Sequence, residues 1–278
     1  MLKQRIVTAL VLLAFLLPAL FASVAWPFAL LTLVLIAAAG WEWGRLNGAG
    51  MTMSLAMGAL LALCGAAALW SGWTVQAPRQ LWWLAALIWI VGAAIALRAG
   101  PAPWPRVPQA LRWVMGLLAL FIAWLALSQA RHIGINFVLS VLALVWAADI
   151  AAYAGGRAFG KRKLAVSISP GKSWEGAYSG AVAVLLLGVV WQLIDGRFAV
   201  DSVSIYTRLV AIGGIAAFVL GALLLSAMSV VGDLMESLVK RAAGAKDSSG
   251  LLPGHGGVLD RVDALLPVFP LAMALATA

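Results

Sequence analysis

The sequence predicts an all-α polytopic membrane protein with about nine transmembrane helices. Three observations carry that expectation. Only 10% of the 278 residues are charged, where soluble domains carry about 25%. Mean hydropathy is +1.02. Apolar windows of the length a bilayer-crossing helix needs, about 20 residues, recur at 6–22, 24–40, 52–70, 81–97, 111–128, 133–153, 176–194, 209–231 and 264–278.

The first window follows MLKQR and precedes Ser23-Val24-Ala25, the outline of a secretory signal. Its apolar run exceeds a usual signal core and another window follows at once, so it reads as the first helix. The third window holds Cys64, the single cysteine, which excludes a disulfide framework or a cysteine metal site and leaves a small packing residue. The fourth and fifth windows follow the proline-bearing connectors APRQ (77–80) and PAPWPRVP (101–108). Trp41, Trp43, Trp73, Trp82 and Trp83 fall near helix ends, where indoles anchor at the interface. Glu42 is the only carboxylate before Asp149, so residues 1–128 read as a scaffold of about five helices and 129–278 as the catalytic region. The ninth window is the weakest span, because it holds Pro267 and Pro270 and ends after 15 residues.

Charge supplies an independent check on the windows, since short cytoplasmic loops carry an excess of Lys and Arg. With the amino terminus inside, Lys3, Arg5, Arg45, Arg98, Arg106, Arg112, Arg157, Lys161, Arg162, Lys163, Lys172, Lys240, Arg241, Lys246 and Arg261 are cytoplasmic. Arg79, Arg131, Arg197 and Arg208 are left outside, a split of 15 to 4 over the 19 basic residues. The net charge of +9 is therefore topology plus anionic partners. No groove-reading motif or soluble basic domain points to nucleic acid.

From Asp149 onward the character changes. Asp149, Glu175, Asp233, Glu236, Asp247, Asp260 and Asp263 lie in or beside two stretches, 149–176 and 232–263. An even number of crossings separates them, so both emerge on the cytoplasmic face and one site can be assembled from both. In the first, Asp149 and Tyr153 are four apart and share a helix face. An ionisable residue in an apolar run is costly and marks a functional site or a snorkelling, paired carboxylate. Arg157, Lys161, Arg162, Lys163 and Lys172 are either a phosphate site or an orientation signal that also meets anionic head groups.

In the second stretch Asp233, Glu236 and Lys240 are spaced by three and four, which puts two carboxylates and an ammonium on one helical face. A salt-bridged helix end explains Glu236 with Lys240 but not Asp233. Gly250, Gly254, Gly256 and Gly257 then surround His255; glycines let backbone N–H groups approach a phosphate closely. Asp260, Arg261 and Asp263 follow. Carboxylate and water oxygens suit Mg²⁺, which binds substrate phosphates. Neither His132 nor His255 has the cluster zinc requires. A Walker P-loop does not occur. Phosphate chemistry with magnesium at a membrane face is the chemistry these residues support.

The 27 residues SLVKRAAGAKDSSGLLPGHGGVLDRVD (237–263) resemble the signature of phosphatidate cytidylyltransferases, also called CDP-diacylglycerol synthases. DIAAYAGGRAFGKRKL, ISPGKSWEG and GDLMES are similar to that family too, so the resemblance covers roughly the second half of the chain. It implies transfer of CMP from CTP to phosphatidic acid, giving CDP-diacylglycerol and pyrophosphate, at the cytoplasmic face of a bacterial inner membrane. It implies Mg²⁺, with a second cation admitted, and a homodimer is carried as a further partner reading. By the same resemblance Asp233, Asp260, Lys240 and His255 are the catalytic candidates, and Asp233 and Asp260 with Asp149 and Glu236 the metal candidates. Tyr153, Arg157, Lys172, Ser173, Ser237, Arg241, Lys246 and Arg261 are the substrate-binding candidates. Ser173 and Ser237 either bond phosphate or cap helix starts.

Two rivals use the same residues. His255 and Asp260 have the His-x4-Asp spacing of glycerolipid acyltransferases, but that chemistry gives Asp233 and Glu236 no role. A transporter for an anionic solute fits an intramembrane Asp149, but both polar clusters gather on one side.

Overall fold

Apolar runs with no water to satisfy their backbone groups leave the helix as the local solution in a bilayer. The computed structural model, which describes residues 2–277, follows that rule. Its helices are α1 (Leu2–Phe21), α2 (Trp26–Leu46), α3 (Met51–Trp70), α4 (Arg79–Ala99), α5 (Gln109–Ile133), α6 (Ile135–Phe159), α7 (Trp174–Arg197), α8 (Ile205–Ala242), the single turn α9 (Leu259–Val262) and α10 (Leu265–Ala276). The side chains of Lys3 and Arg5, counted above as basic residues of the inner face, lie outside the described residues, as does Ala278 of the last window.

Seven of these helices, α2 to α8, are long and apolar enough to cross a membrane. The chain is thus multi-pass; among the described residues the first and last of the nine expected windows lie outside that set of seven. In α1 the apolar stretch is Ile6–Phe21. The last helix, α10, has 12 residues, about 18 Å of helix against a hydrocarbon core of about 30 Å. Residues 266–274 of α10 are buried, and it packs against α4, α5 and α8. It is a short helix inside the bundle, and neighbouring helices stand in for the bilayer around it.

The eighth window is also displaced. Gly213 and Gly214 leave helical geometry inside α8, Gly214 with φ +64°. The chain doubles back there: the rings of Tyr206 and Phe218 lie 6.2 Å apart, where a straight helix would separate residues twelve apart by about 18 Å. Residues 205–212 therefore form a short helix beside the top of the crossing segment 215–242. Ser204 starts it by accepting from the Thr207 N–H at 3.2 Å.

Small residues set the helix pairs that carry the site, as is usual where lipid supplies no hydrophobic drive for helix association. A Cβ on Gly176 would stand 2.7 Å from the Ala152 carbonyl oxygen, and one on Gly180 2.7 Å from that of Ala148, so α6 and α7 pack backbone to backbone. Between them the chain leaves helix, because Gly160, Pro170 and Gly171 interrupt it. Two short strands, β1 (Lys163–Ala165) and β2 (Ser169–Ser173), pair antiparallel with Lys163 opposite Ser173. This hairpin is the one non-helical pairing of strands among the described residues.

Candidate functional site

The close α6–α7 packing fixes the first half of the site. Ser173 ends β2 and caps α7, accepting from the Gly176 N–H at 3.2 Å. Lys172, one residue before, is thereby aimed across at α8, where its Nζ lies 2.6 Å from Asp233 Oδ2. Ser237 Oγ, one turn further along α8, donates to Asp233 Oδ1 at 3.2 Å. Of the two serines, Ser173 thus caps a helix and Ser237 bonds a carboxylate. Asp149, Tyr153, Arg157, Lys172, Ser173 and Asp233 line one cavity of about 580 Å³. It opens between spanning helices; Tyr153 at its wall is 71% exposed, and Ile150, Phe159, Trp174 and Tyr178 nearby are exposed too.

The second half is the loop after α8. Lys240 is buried and contacts the buried Glu236 carboxylate. The same Nζ reaches Asp260 Oδ1 at 2.6 Å. Asp260 Oδ2 accepts from the Ser248 N–H at 2.9 Å, the Ser248 hydroxyl at 2.8 Å and the Gly257 N–H at 2.8 Å. Burial alone would raise the Asp260 carboxyl, but Glu236, Lys240 and the Gly257 and Ser248 N–H groups hold it well below the usual carboxylate range. Gly256 has φ +84°, and a Cβ there would meet Asp260 Oδ2 at 2.7 Å. Lys246, His255 and Arg261 line a second cavity of about 510 Å³ with Gly250, Gly254 and Gly256. Arg241 faces elsewhere: it donates to the Ile168 carbonyl at 3.3 Å and the Ala245 carbonyl at 3.2 Å, tying the loop to the hairpin.

His255 Nδ1 is buried with no hydrogen-bond partner, while the Asp260 oxygens are taken by Lys240, Ser248 and Gly257. The two do not form the base–orienter pair that acyl transfer by His255 would need.

Five carboxylates, Asp149, Asp233, Glu236, Asp260 and Asp263, gather here with two lysines. Asp149 is within electrostatic reach of Lys172 and Asp233. Asp263 feels Asp233, Lys240 and Lys172. Burial, then the Asp233 charge, push the Asp263 carboxyl up to about 7. Such crowding of oxygen ligands suits a hard cation. Among the described residues no three of His, Cys, Asp and Glu converge on one point, so the protein would supply few ligands and leave the rest to water and phosphate, as Mg²⁺ prefers. Asp233, engaged by one lysine and one hydroxyl, keeps lone pairs for a metal. Asp260 meets four donors, the full capacity of a carboxylate.

Two residues stand here that the sequence reading left out of the site. Asp263 was placed only at the entrance to the last helix. Glu42, read as part of the scaffold, is fully buried against the loop. It accepts from Ser249 Oγ at 2.5 Å, the Val258 N–H at 2.9 Å and the Leu259 N–H at 2.7 Å, and the Ser248 hydroxyl, whose proton goes to the nearer Asp260, lies 3.2 Å away. A lone carboxylate among some 128 otherwise acid-free residues was the signal available.

Against known proteins, a family model described as the cytidylyltransferase family matches residues 3–278. A phosphatidate cytidylyltransferase of Pseudomonas aeruginosa is 39% identical over 99% of this chain and 97% of its own. One from Haemophilus influenzae is 36% identical over 97% of this chain and 96% of its own. The Bacillus subtilis phosphatidate cytidylyltransferase is 38% identical over 49% of this chain and 46% of its own.

Proposed function

The chain belongs to the cytidylyltransferase family, and on that premise we propose that it transfers CMP from CTP to phosphatidic acid, releasing pyrophosphate and CDP-diacylglycerol. The observation that carries this reading is the pairing of Lys172 with Asp233 at 2.6 Å, which brings basic and acidic groups from stretches sixty residues apart onto the wall of one cavity. An oxygen of the phosphatidate monoester forms the new bond to the CTP α-phosphorus, and the bond from that phosphorus to the pyrophosphate oxygen breaks. The attacking oxygen is already anionic, so no serine or cysteine need be activated. Positioning and charge neutralisation are the protein's task.

The two cavities suit the two substrates. The one between α6, α7 and α8 has apolar and aromatic residues exposed beside it and Arg157 and Lys172 on its wall, which fits a phosphate carried on a lipid. The loop cavity, with Lys246, His255 and Arg261 among glycines, fits the soluble triphosphate. Asp233 and Asp263 would hold Mg²⁺, and Asp260 would join them by exchanging Lys240 for the metal. When bound, the cation supplies charge neutralisation on phosphate oxygens as pyrophosphate leaves. The excess of basic residues near the site supports the cytoplasmic face of a bacterial inner membrane as its location.

Purified protein in detergent, given phosphatidic acid, CTP and Mg²⁺, is expected to release pyrophosphate and a CDP-lipid in equal amounts, and to stop in excess chelator. Acyl-CoA consumption without CTP, or full activity in chelator, would overturn the reading.

A further inference from the structure

We propose that Glu42, on a helix of the amino-terminal half, is a positioning residue for the transfer: it sets the loop that holds Asp260. The inference rests on Asp260 serving the reaction proposed above. Three donors from that loop converge on the Glu42 carboxylate, two of them the consecutive N–H groups of Val258 and Leu259 that lead directly into Asp260. Ser248 ties the two acids together, its hydroxyl lying 3.2 Å from Glu42 Oε2 and 2.8 Å from Asp260 Oδ2. A carboxylate accepts all of these and donates none. An amide at the same place would turn an NH₂ group toward N–H and O–H donors, and a buried donor left unmet is costly.

Gly257 is the second, independent observation. A Cβ there would stand 2.0 Å from Ser248 Oγ and 2.4 Å from Glu42 Oε1. The loop backbone therefore lies directly on the carboxylate, and even a methyl group would drive the two apart. The second glycine of the GHGG run is explained by this contact, whereas the first of the pair, Gly256, serves the turn around Asp260. Glu42 itself lines neither cavity, so it acts through Asp260 and the loop.

The test compares wild type with Glu42→Gln, Glu42→Asp, Gly257→Ala and the double variant Glu42→Gln/Gly257→Ala, each purified in detergent as the full chain. Transfer is followed under saturating and limiting CTP. In parallel, tryptic cleavage after Lys246 and Arg261 is timed without Mg²⁺ or substrate. Partners that orient metal ligands are worth about 10–100-fold when removed. Glu42→Gln and Gly257→Ala should each lower kcat by about tenfold or more, with KM for CTP within about twofold. Both should speed cleavage at the two loop sites. Glu42→Asp should recover part of the rate, and the double variant should be no slower than the slower single, because both break one contact. Wild-type kcat in either single variant, additive losses, or a lowered kcat with unchanged loop cleavage would overturn the proposal. If Glu42→Gln does not fold, Gly257→Ala carries the same decision from the loop side. A wild-type chain with no CTP-dependent transfer would instead sink the functional reading and leave the cleavage comparison to judge the loop anchor alone.

Discussion

The two ends of α7 each carry a polar cluster, and the contrast between them separates structure from function. At the carboxyl end, Asp195 accepts from Asn136 Nδ2 at 2.8 Å, the Ser204 N–H at 2.9 Å, and the Ser204 and Thr207 hydroxyls at 2.6 Å each. Asp201 accepts from the Ile135 and Asn136 N–H groups at the start of α6. Asn136 Oδ1 takes the indole N–H of Trp191 at 2.9 Å. Neutral donors match the carboxylates, and helix starts that would otherwise be orphaned are capped. At the amino end, five carboxylates meet two lysines, Lys240 is shared between Glu236 and Asp260, and His255 Nδ1 has no hydrogen-bond partner. One cluster is complete within the protein; the other is the one we propose a cation and phosphates complete.

Breaking the incomplete end should have the largest effect. Asp233→Asn and Asp260→Asn are each expected to lower CMP transfer by at least about 10³-fold, since each removes charge where the reacting phosphates are held. Membrane insertion should hold; pyrophosphate release of the folded fraction is the measurement, and a near wild-type rate in either would remove that residue from the site. A smaller effect should split the two cavities. Lys246→Ala and Arg261→Ala should raise KM for CTP about tenfold or more, as charged hydrogen bonds of about 1.5–3 kcal/mol would, with KM for phosphatidate nearly unchanged. Arg157→Ala should do the reverse. Crossed or equal changes would merge the two cavities into one binding site. The smallest effect belongs to the complete end: Asp195→Ala should cost about 1–2 kcal/mol of stability, read as a lower melting temperature, while kcat of the folded fraction stays at the wild-type value.

Composition and spacing determined much of this protein before any coordinates. Apolar windows fixed the helices because a bilayer leaves the backbone no other partner, and the loop signature named the chemistry because phosphate and metal sites need those residue types. Several things lay beyond the reach of a linear pattern. The Gly213–Gly214 reversal looked like part of one apolar run, since hydropathy does not register backbone direction. The last helix looked like a short span, and only its burial among α4, α5 and α8 shows that protein surrounds it. Lys172 and Asp233 were legible as charges on one membrane face, but their 2.6 Å contact depends on how closely glycines let α6 and α7 approach. Glu42 shows the limit most clearly: its sequence neighbours are tryptophans and glycine, and its partners lie more than two hundred residues away. Sequence determines which groups a membrane protein can bury; tertiary packing decides which of them meet, because a buried carboxylate is defined by donors that the chain brings from elsewhere.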